Sequence, residues 1–414
     1  MKFAFILNCF GSVRLPLLLV LPSALTGQDV LGELPSLPTG FGESFFPTES
    51  QTDQDLSFTV RFNALYDSNV RQGSGRNGRP IESDLQITPG LGASYLRRKD
   101  LWQLGANANL NQAYFLESDN LDRTNYSAGL FGGYQSTKLV ASFTSNLSSA
   151  GGVNRISGTF LEQFSYSTGL MASYRLSGKT SFLLAWNQQN TTSETDGFGD
   201  TSSSTASLSA IWRATPLINV GPGFRYGVRT GRSDEELIVL GPTLRFDYQL
   251  STRVKLRSSI GLDYRESPFG EDTRGLNYSL SLGYKRSSLW GLDLSMIQDT
   301  EASFLSGGGF DETSSFRLAY WRQIRRAKLQ LSLSLQDRDA RDLGTINAGL
   351  RDPTMTNAGI GDSSFLNYGA SVSMPVLRDQ ASLSLNVSWR DISAENEDFS
   401  SDGFQAGLGL SWQF

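Results

Sequence analysis

From Leu56 to its last residue the chain repeats one pattern, in which apolar and polar side chains take alternate positions. Leu56, Phe58, Val60, Phe62, Ala64 and Tyr66 alternate with Ser57, Thr59, Arg61 and Asn63. Trp102, Leu104, Ala106, Ala108 and Leu110 do so against Gln103, Asn107 and Asn109. The pattern is cleanest late in the chain, where Leu329, Leu331, Leu333 and Leu335 alternate with Lys328, Gln330, Ser332 and Ser334. It returns in Ala381, Leu383, Leu385, Val387 and Trp389. A period of two is that of β-strands with one apolar face.

The connections decide what kind of sheet these strands build. Tight connections fall near residues 97–100, 136–138, 177–179, 214–217, 250–252, 286–288, 324–327 and 376–379. Between them lie longer polar stretches at 67–83, 116–124, 148–159, 190–204, 230–236, 266–274, 299–313, 338–363 and 392–402. Short and long connections therefore alternate, as they do in outer-membrane barrels with short periplasmic turns and long outer loops. A soluble sandwich also gives strands one apolar face, but its strands are usually shorter and more variable. Eight short and nine long connections imply eighteen strands, with sixteen as the alternative count. The expected fold is all-β, a transmembrane antiparallel up-and-down β-barrel over residues 56–414. An even strand count brings both ends of the barrel to the periplasmic side.

Composition agrees with this reading. Mean hydropathy is slightly negative, as it can be where every second strand residue faces lipid and the others stay polar. At the start, Met1 and Lys2 precede an apolar run from Leu15 to Leu25 that is broken by Pro16 and Pro22. That run is too short to span a bilayer, and it has the form of a secretory signal peptide, read here as residues 1–27. Residues 28–55, with Pro35, Pro38 and Pro47, read as a flexible periplasmic segment; Phe41, Phe45 and Phe46 leave a plug or docking role open. The one cysteine, Cys9, lies inside the leader, so the mature chain has no disulfide, thiolate metal site or lipoprotein anchor.

The chain ends on GFQAGLGLSWQF, with Phe404, Ala406, Leu408, Leu410, Trp412 and Phe414 on one face. This resembles the C-terminal signature that the barrel assembly machinery recognises, which makes Trp412 and Phe414 the candidate assembly signal. Aromatic residues also gather near strand ends, where girdles belong. Tyr95, Trp102, Tyr134, Tyr174, Trp212, Tyr248, Tyr284, Trp290, Tyr320 and Trp412 map to the turn side; Tyr66, Tyr114, Tyr166, Trp186, Tyr226, Tyr264 and Trp389 map to the loop side.

The stretch ALYDSNV followed by ESDLQITPGLGASYL, with Tyr66, Asp67, Asn69, Val70, Asp84, Pro89 and Gly90, resembles the opening of the beta-barrel porin 2 family. The resemblance implies an exopolysaccharide-associated outer-membrane beta-barrel with a role in solute or saccharide passage and no catalytic site. Read as residues alone, the same stretch is a strand end, an acidic loop and a second strand.

If the apolar phase faces lipid, the other phase lines the lumen. Arg225, Arg229, Arg245, Arg253, Lys255, Arg257, Arg265, Lys285, Arg317 and Lys328 then point inward, against Asp247, Asp263 and Asp293. A charge on the lipid face at mid-membrane costs about 2–4 kcal/mol, which fixes the direction. Two outcomes stay open: a basic wall that concentrates anions, or neutralisation by inward-folded loops carrying Glu235, Glu236, Glu266, Glu271, Asp272, Glu301, Asp311 and Glu312. The loop at 338–363 is the candidate for such a fold.

Histidine is absent, which removes the commonest general base and metal ligand. No enzyme, cofactor or metal site is expected. A net charge of −5 argues against nucleic acid. The expected partners are outer-membrane lipid, lipopolysaccharide, the barrel assembly machinery, and saccharides or small anions in transit. The alternative function is a non-conducting structural or adhesive barrel.

Overall fold

The computed structural model describes residues 54–75, 80–153, 160–194, 200–231, 236–266, 273–287, 289–302, 310–341, 362–377, 380–395 and 397–414. The expected leader and the lead-in up to residue 53 lie outside the described residues, as do residues 342–361 of the longest loop.

Eighteen antiparallel strands form one closed sheet. They are β1 (Gln54–Asp67), β2 (Asp84–Lys99), β3 (Trp102–Phe115), β4 (Arg123–Gln135), β5 (Leu139–Val153) and β6 (Phe160–Arg175). Next come β7 (Thr180–Ser193), β8 (Thr201–Thr215), β9 (Ile218–Thr230), β10 (Glu236–Gln249), β11 (Val254–Glu266) and β12 (Thr273–Ser287). The last are β13 (Trp290–Ala302), β14 (Phe310–Ile324), β15 (Ala327–Arg341), β16 (Ser363–Val376), β17 (Ala381–Ala394) and β18 (Ser401–Gln413). Each pairs with its sequence neighbours, and β1 pairs with β18 to close the ring. The barrel is the one the alternating connections predict.

All eight tight turns fall where the sequence places them, by two local devices. Hydroxyls at the first turn residue accept the backbone N–H groups ahead of them in five: Ser136 from Leu139, Ser177 from Lys179 and Thr180, Thr215 from Leu217 and Ile218, Ser251 from Arg253 and Val254, and Ser287 from Leu289. The other three put a non-glycine residue in the left-handed region: Asp100 (φ 50°), Arg325 (φ 55°) and Leu377 (φ 51°). Asp tolerates that conformation; Arg and Leu are strained there. One device moves a boundary. Because Ser251 draws residues 251–253 into its turn, β11 begins at Val254, and Arg253 sits on the turn rather than on the strand.

Three prolines interrupt the ladders inside strands, since proline lacks the N–H a ladder needs. Pairing of β2 with β3 skips Thr88 and Pro89, β8 with β9 skips Gly221 and Pro222, and β10 with β11 skips Gly241 and Pro242. The glycines beside them admit a partner carbonyl: a Cβ on Gly241 would clash with the Leu262 oxygen, and one on Gly221 with that of Ala210. A side chain there would force the strands apart.

The outer surface carries the apolar phase. Phe58, Leu91, Leu130, Leu184, Leu208, Ile260 and Leu408 all lie at half exposure or more. Aromatic residues border this band at the turn end, where Trp102 packs on Tyr134 at 4.6 Å and Trp290 on Tyr284 at 5.1 Å and Tyr320 at 6.1 Å. A soluble protein rarely exposes so large an apolar surface. A closed barrel leaves no unpaired sheet edge, which is what lipid contact demands.

The last residue takes part in closure. Phe414 donates its N–H to the Phe58 carbonyl (2.9 Å) and accepts from Phe58 N–H (3.2 Å), while its ring stacks on Trp412 at 5.9 Å. Deleting Phe414 is expected to lower the folded, heat-modifiable yield in cells several-fold more than Gln413→Ala, which alters only an inward side chain. Equal yields for the two variants, read on unheated gels of outer-membrane fractions, would show that the terminal aromatic has no part in assembly.

Candidate functional site: the lumen and its mouth

The inward phase is mostly Ser, Gly, Asn, Gln and Thr, as in Asn107, Asn109 and Asn111 of β3 or Ser382, Ser384 and Asn386 of β17. The sequence-predicted cations enter this interior in two groups that meet different fates.

At the loop end the arginines are paired. Arg225 and Arg229 of β9 both reach Asp299 of β13, at 2.7 Å and 3.1 Å, and Arg225 lies 4.0 Å from Asp263. Asp263 also accepts from Asn277. Arg265 faces Glu312 at 3.6 Å, and Arg338 holds Asp311 at 2.6 Å. The β9 to β13 link is not a neighbour contact, because β10, β11 and β12 lie between them in the sheet. The loop end of β13 therefore leans inward across its neighbours to touch β8 and β9. Leu237 and Val239 of β10 and Asp263 of β11 are consequently buried although all three face the lumen. Unpaired cations at this depth would be costly, and the ion pairs hold the lean in place.

At the turn end the balance stays basic. Arg245 pairs with Asp247 (3.1 Å), and Lys285 lies near Asp293. Lys255, Arg257 and Lys328 share the same wall on inward positions of β11 and β15, with Arg317 at mid-height on β14, and exposed Arg253 borders it on its turn. Further round, Arg175, Lys179 and Arg213 gather beside Asn219 at the same end. Arg175 and Arg213 follow from strand phase, whereas Lys179 lies on the turn between β6 and β7, where phase places nothing.

The second half of the mouth is built by the residues of the ALYDSNV and ESDLQ stretches. Arg390 of β17 donates to both oxygens of Asp67 at 2.9 Å and to the Asn69 carbonyl, and Gln405 donates to Asp67 at 2.9 Å. Asn69 is fully buried; its amide donates to the Gly73 and Asp402 carbonyls, and its oxygen accepts from Gly73 N–H. Val70 packs with Ala113, Phe115 and Leu121. Asp84 accepts the backbone N–H groups of Leu85, Leu116, Glu117 and Ser118. These side chains fold the β1–β2 connection against the wall, joining β1, β17 and β18 to the β3–β4 connection. Sequence reading found the stretch but not Arg390, its long-range partner.

Two inward aromatic residues also escaped the sequence reading. Phe131 of β4 lies over Gly105, and Trp321 of β14 lies over Gly291. Of the acids assigned to neutralising loops, Asp311 and Glu312 meet arginines as described; Glu235, Glu271 and Asp272 lie outside the described residues.

No protein-family model matches the sequence, and no curated protein matches it. Among solved structures, the chain is similar to Acinetobacter baumannii OccAB4, at 12% identity and TM-score 0.45 over 88% of this chain and 98% of that one. It is similar to Pseudomonas aeruginosa OprD at 11% identity and TM-score 0.43, over 87% and 95% of the two chains. The siderophore receptor PirA from Pseudomonas aeruginosa matches at 10% identity and TM-score 0.41, over 88% and 81%. Likenesses this distant transfer no function.

Proposed function

We propose that the chain is an outer-membrane channel that passes small solutes through a polar lumen, with its tight turns and both ends of the barrel in the periplasm. The observation that carries this reading is the inversion of the wall: apolar side chains outside, Ser, Asn, Gln and charged residues inside, on a sheet with no free edge. A barrel of 16–18 strands leaves an aqueous channel, and the basic excess at the turn end supports a preference for anions. Lipid and lipopolysaccharide surround the wall, and the barrel assembly machinery takes the strand ending in Phe414. Membership of the beta-barrel porin 2 family, with an association to exopolysaccharide export, is supported by the resemblance of Tyr66–Val70 and Asp84–Gly90, several of whose residues build the mouth.

The mature chain should fractionate with outer membranes and, when purified, should form discrete channels in planar bilayers. Recovery in the soluble fraction would end this reading. The leaning β13 and the tethered β1–β2 connection favour a second one, a closed barrel whose outer loops bind a partner; a folded barrel without measurable conductance would select it.

A further inference from the structure

Trp321 is out of character with the wall around it. Its neighbours on the inward phase are small or hydrophilic, and an indole facing water there gains nothing from burial in a core. It lies against Gly291, whose missing side chain lets the ring rest on the strand: a Cβ at that position would sit 2.8 Å from the indole atoms. A ring seated over glycine is a way to support a strand, and that alone would make it structural. The surroundings add something else. Lys285, Ser287, Trp321, Gln323 and Lys328 line one cavity of about 650 Å³ at the turn end of the lumen. Gln323 is fixed by donating its side-chain amide to the Arg325 carbonyl at 3.1 Å, across the strained turn that joins β14 to β15. Lys285 reaches the cavity from β12 and Lys328 from β15, one on each side of the indole.

We propose that this cavity is a subsite for an acidic saccharide, a sugar ring bearing a carboxylate, on its way through the channel. The indole face takes the apolar face of the ring. Lys285 and Lys328, on strands flanking it, meet the carboxylate, and Ser287 and Gln323 meet hydroxyl groups. Asp293, close to Lys285, tempers that lysine, so Lys328 carries more of the charge recognition. The chemistry fits a saccharide better than an aromatic acid because Lys285, Ser287, Gln323 and Lys328 stand beside the indole on the same wall, whereas an aromatic acid would present them with no hydroxyls. Selective sites place a few polar groups around an apolar platform in this way.

The inference rests on the channel reading, so the test separates the two. The folded mature barrel is placed in planar bilayers, and trigalacturonate, maltotriose or benzoate is added at the turn side. Binding of the same probes to detergent-solubilised barrel is measured by calorimetry, which needs no conduction. Trigalacturonate should block current and bind about tenfold more tightly than maltotriose, a difference of about 1.4 kcal/mol. Trp321→Ala should weaken both saccharides, Trp321→Phe should retain most of the affinity, and Lys328→Gln should weaken trigalacturonate alone. Unheated gels confirm that each variant folds.

Open channels with no difference between trigalacturonate and maltotriose, in current or in heat, would overturn the subsite and leave the channel standing. Benzoate bound as tightly as trigalacturonate would overturn the saccharide assignment. Absence of conductance would sink the channel reading, and the calorimetry would still decide the subsite: no heat from trigalacturonate overturns it.

Discussion

Changing Asp299 to alanine is expected to raise single-channel conductance markedly while the barrel stays folded. Asp299 is the acid shared by Arg225 and Arg229, and their side chains are only 14% and 4% exposed. Removing one partner of a buried ion pair costs about 3–5 kcal/mol, because the remaining charge stays desolvated and uncompensated. Two guanidinium groups would be left so, with Asp263 at 4.0 Å from Arg225. The cheapest relief is for the loop end of β13 to leave β9 and return to the line of the sheet, where the two arginines regain water. The ladders of β13 with β12 and β14 do not depend on that lean, so the fold persists. Two measurements check this: conductance, which should rise, and reversal potential under a salt gradient, which should move toward anions as Arg225 and Arg229 enter the water. Asp293→Ala, on the same strand but outside the link, is the control and should leave conductance near the wild-type level. If Asp299→Ala conducts like the wild type, the lean is not held by these pairs.

How much of this was legible in the sequence follows from the range over which each feature is encoded. The strands and turns are local. Alternation over a dozen residues and a Ser, Thr or strained residue at each turn suffice to place them, and eighteen strands follow. The charge network is not local. Asp299 lies 74 residues from Arg225 and Asp67 lies 323 residues from Arg390. Phase says that all four point inward; only the closed geometry says which of them meet. For the same reason Arg225, Arg229 and Arg265, which the alternation groups with the other cations as one basic wall, divide off from it: the inward lean supplies them with acids. Trp321 was hidden differently. It follows Leu318, Ala319 and Tyr320, a run of consecutive apolar residues in which period two is lost, so nothing in the sequence marks the indole as facing the lumen. Arg253 stands one residue before β11, since alternation in Thr252–Tyr264 continues through a turn that Ser251 holds.

Among the described residues the inward cations outnumber the acids at the turn end, and there a change of sign should have its largest effect on transport. Lys255 and Arg257 project from β11 into the lumen, and Arg253 stands exposed on the turn beside them; Asp247 is the acid across the ladder from Arg257, and it is already paired with Arg245. Fixed charges on the wall of a water-filled pore raise the local concentration of the opposite ion, over a distance set by the Debye length of about 10 Å at 0.1 M salt and about 3 Å at 1 M. The wild-type channel should therefore prefer anions, most strongly at low salt. Changing Arg253, Lys255 and Arg257 together to Gln should reduce the preference, and changing them to Glu should carry the reversal potential to the cation side. Folding should survive both changes, because inward positions tune selectivity whereas lipid-facing positions govern stability. The Glu variant places a carboxylate opposite Asp247, which Arg245 still faces, so heat modifiability is measured beside selectivity. A wild-type channel that already prefers cations, or a Glu variant whose reversal potential does not move, would mean that these three residues are compensated by acids elsewhere in the lumen and have no share in selecting what passes.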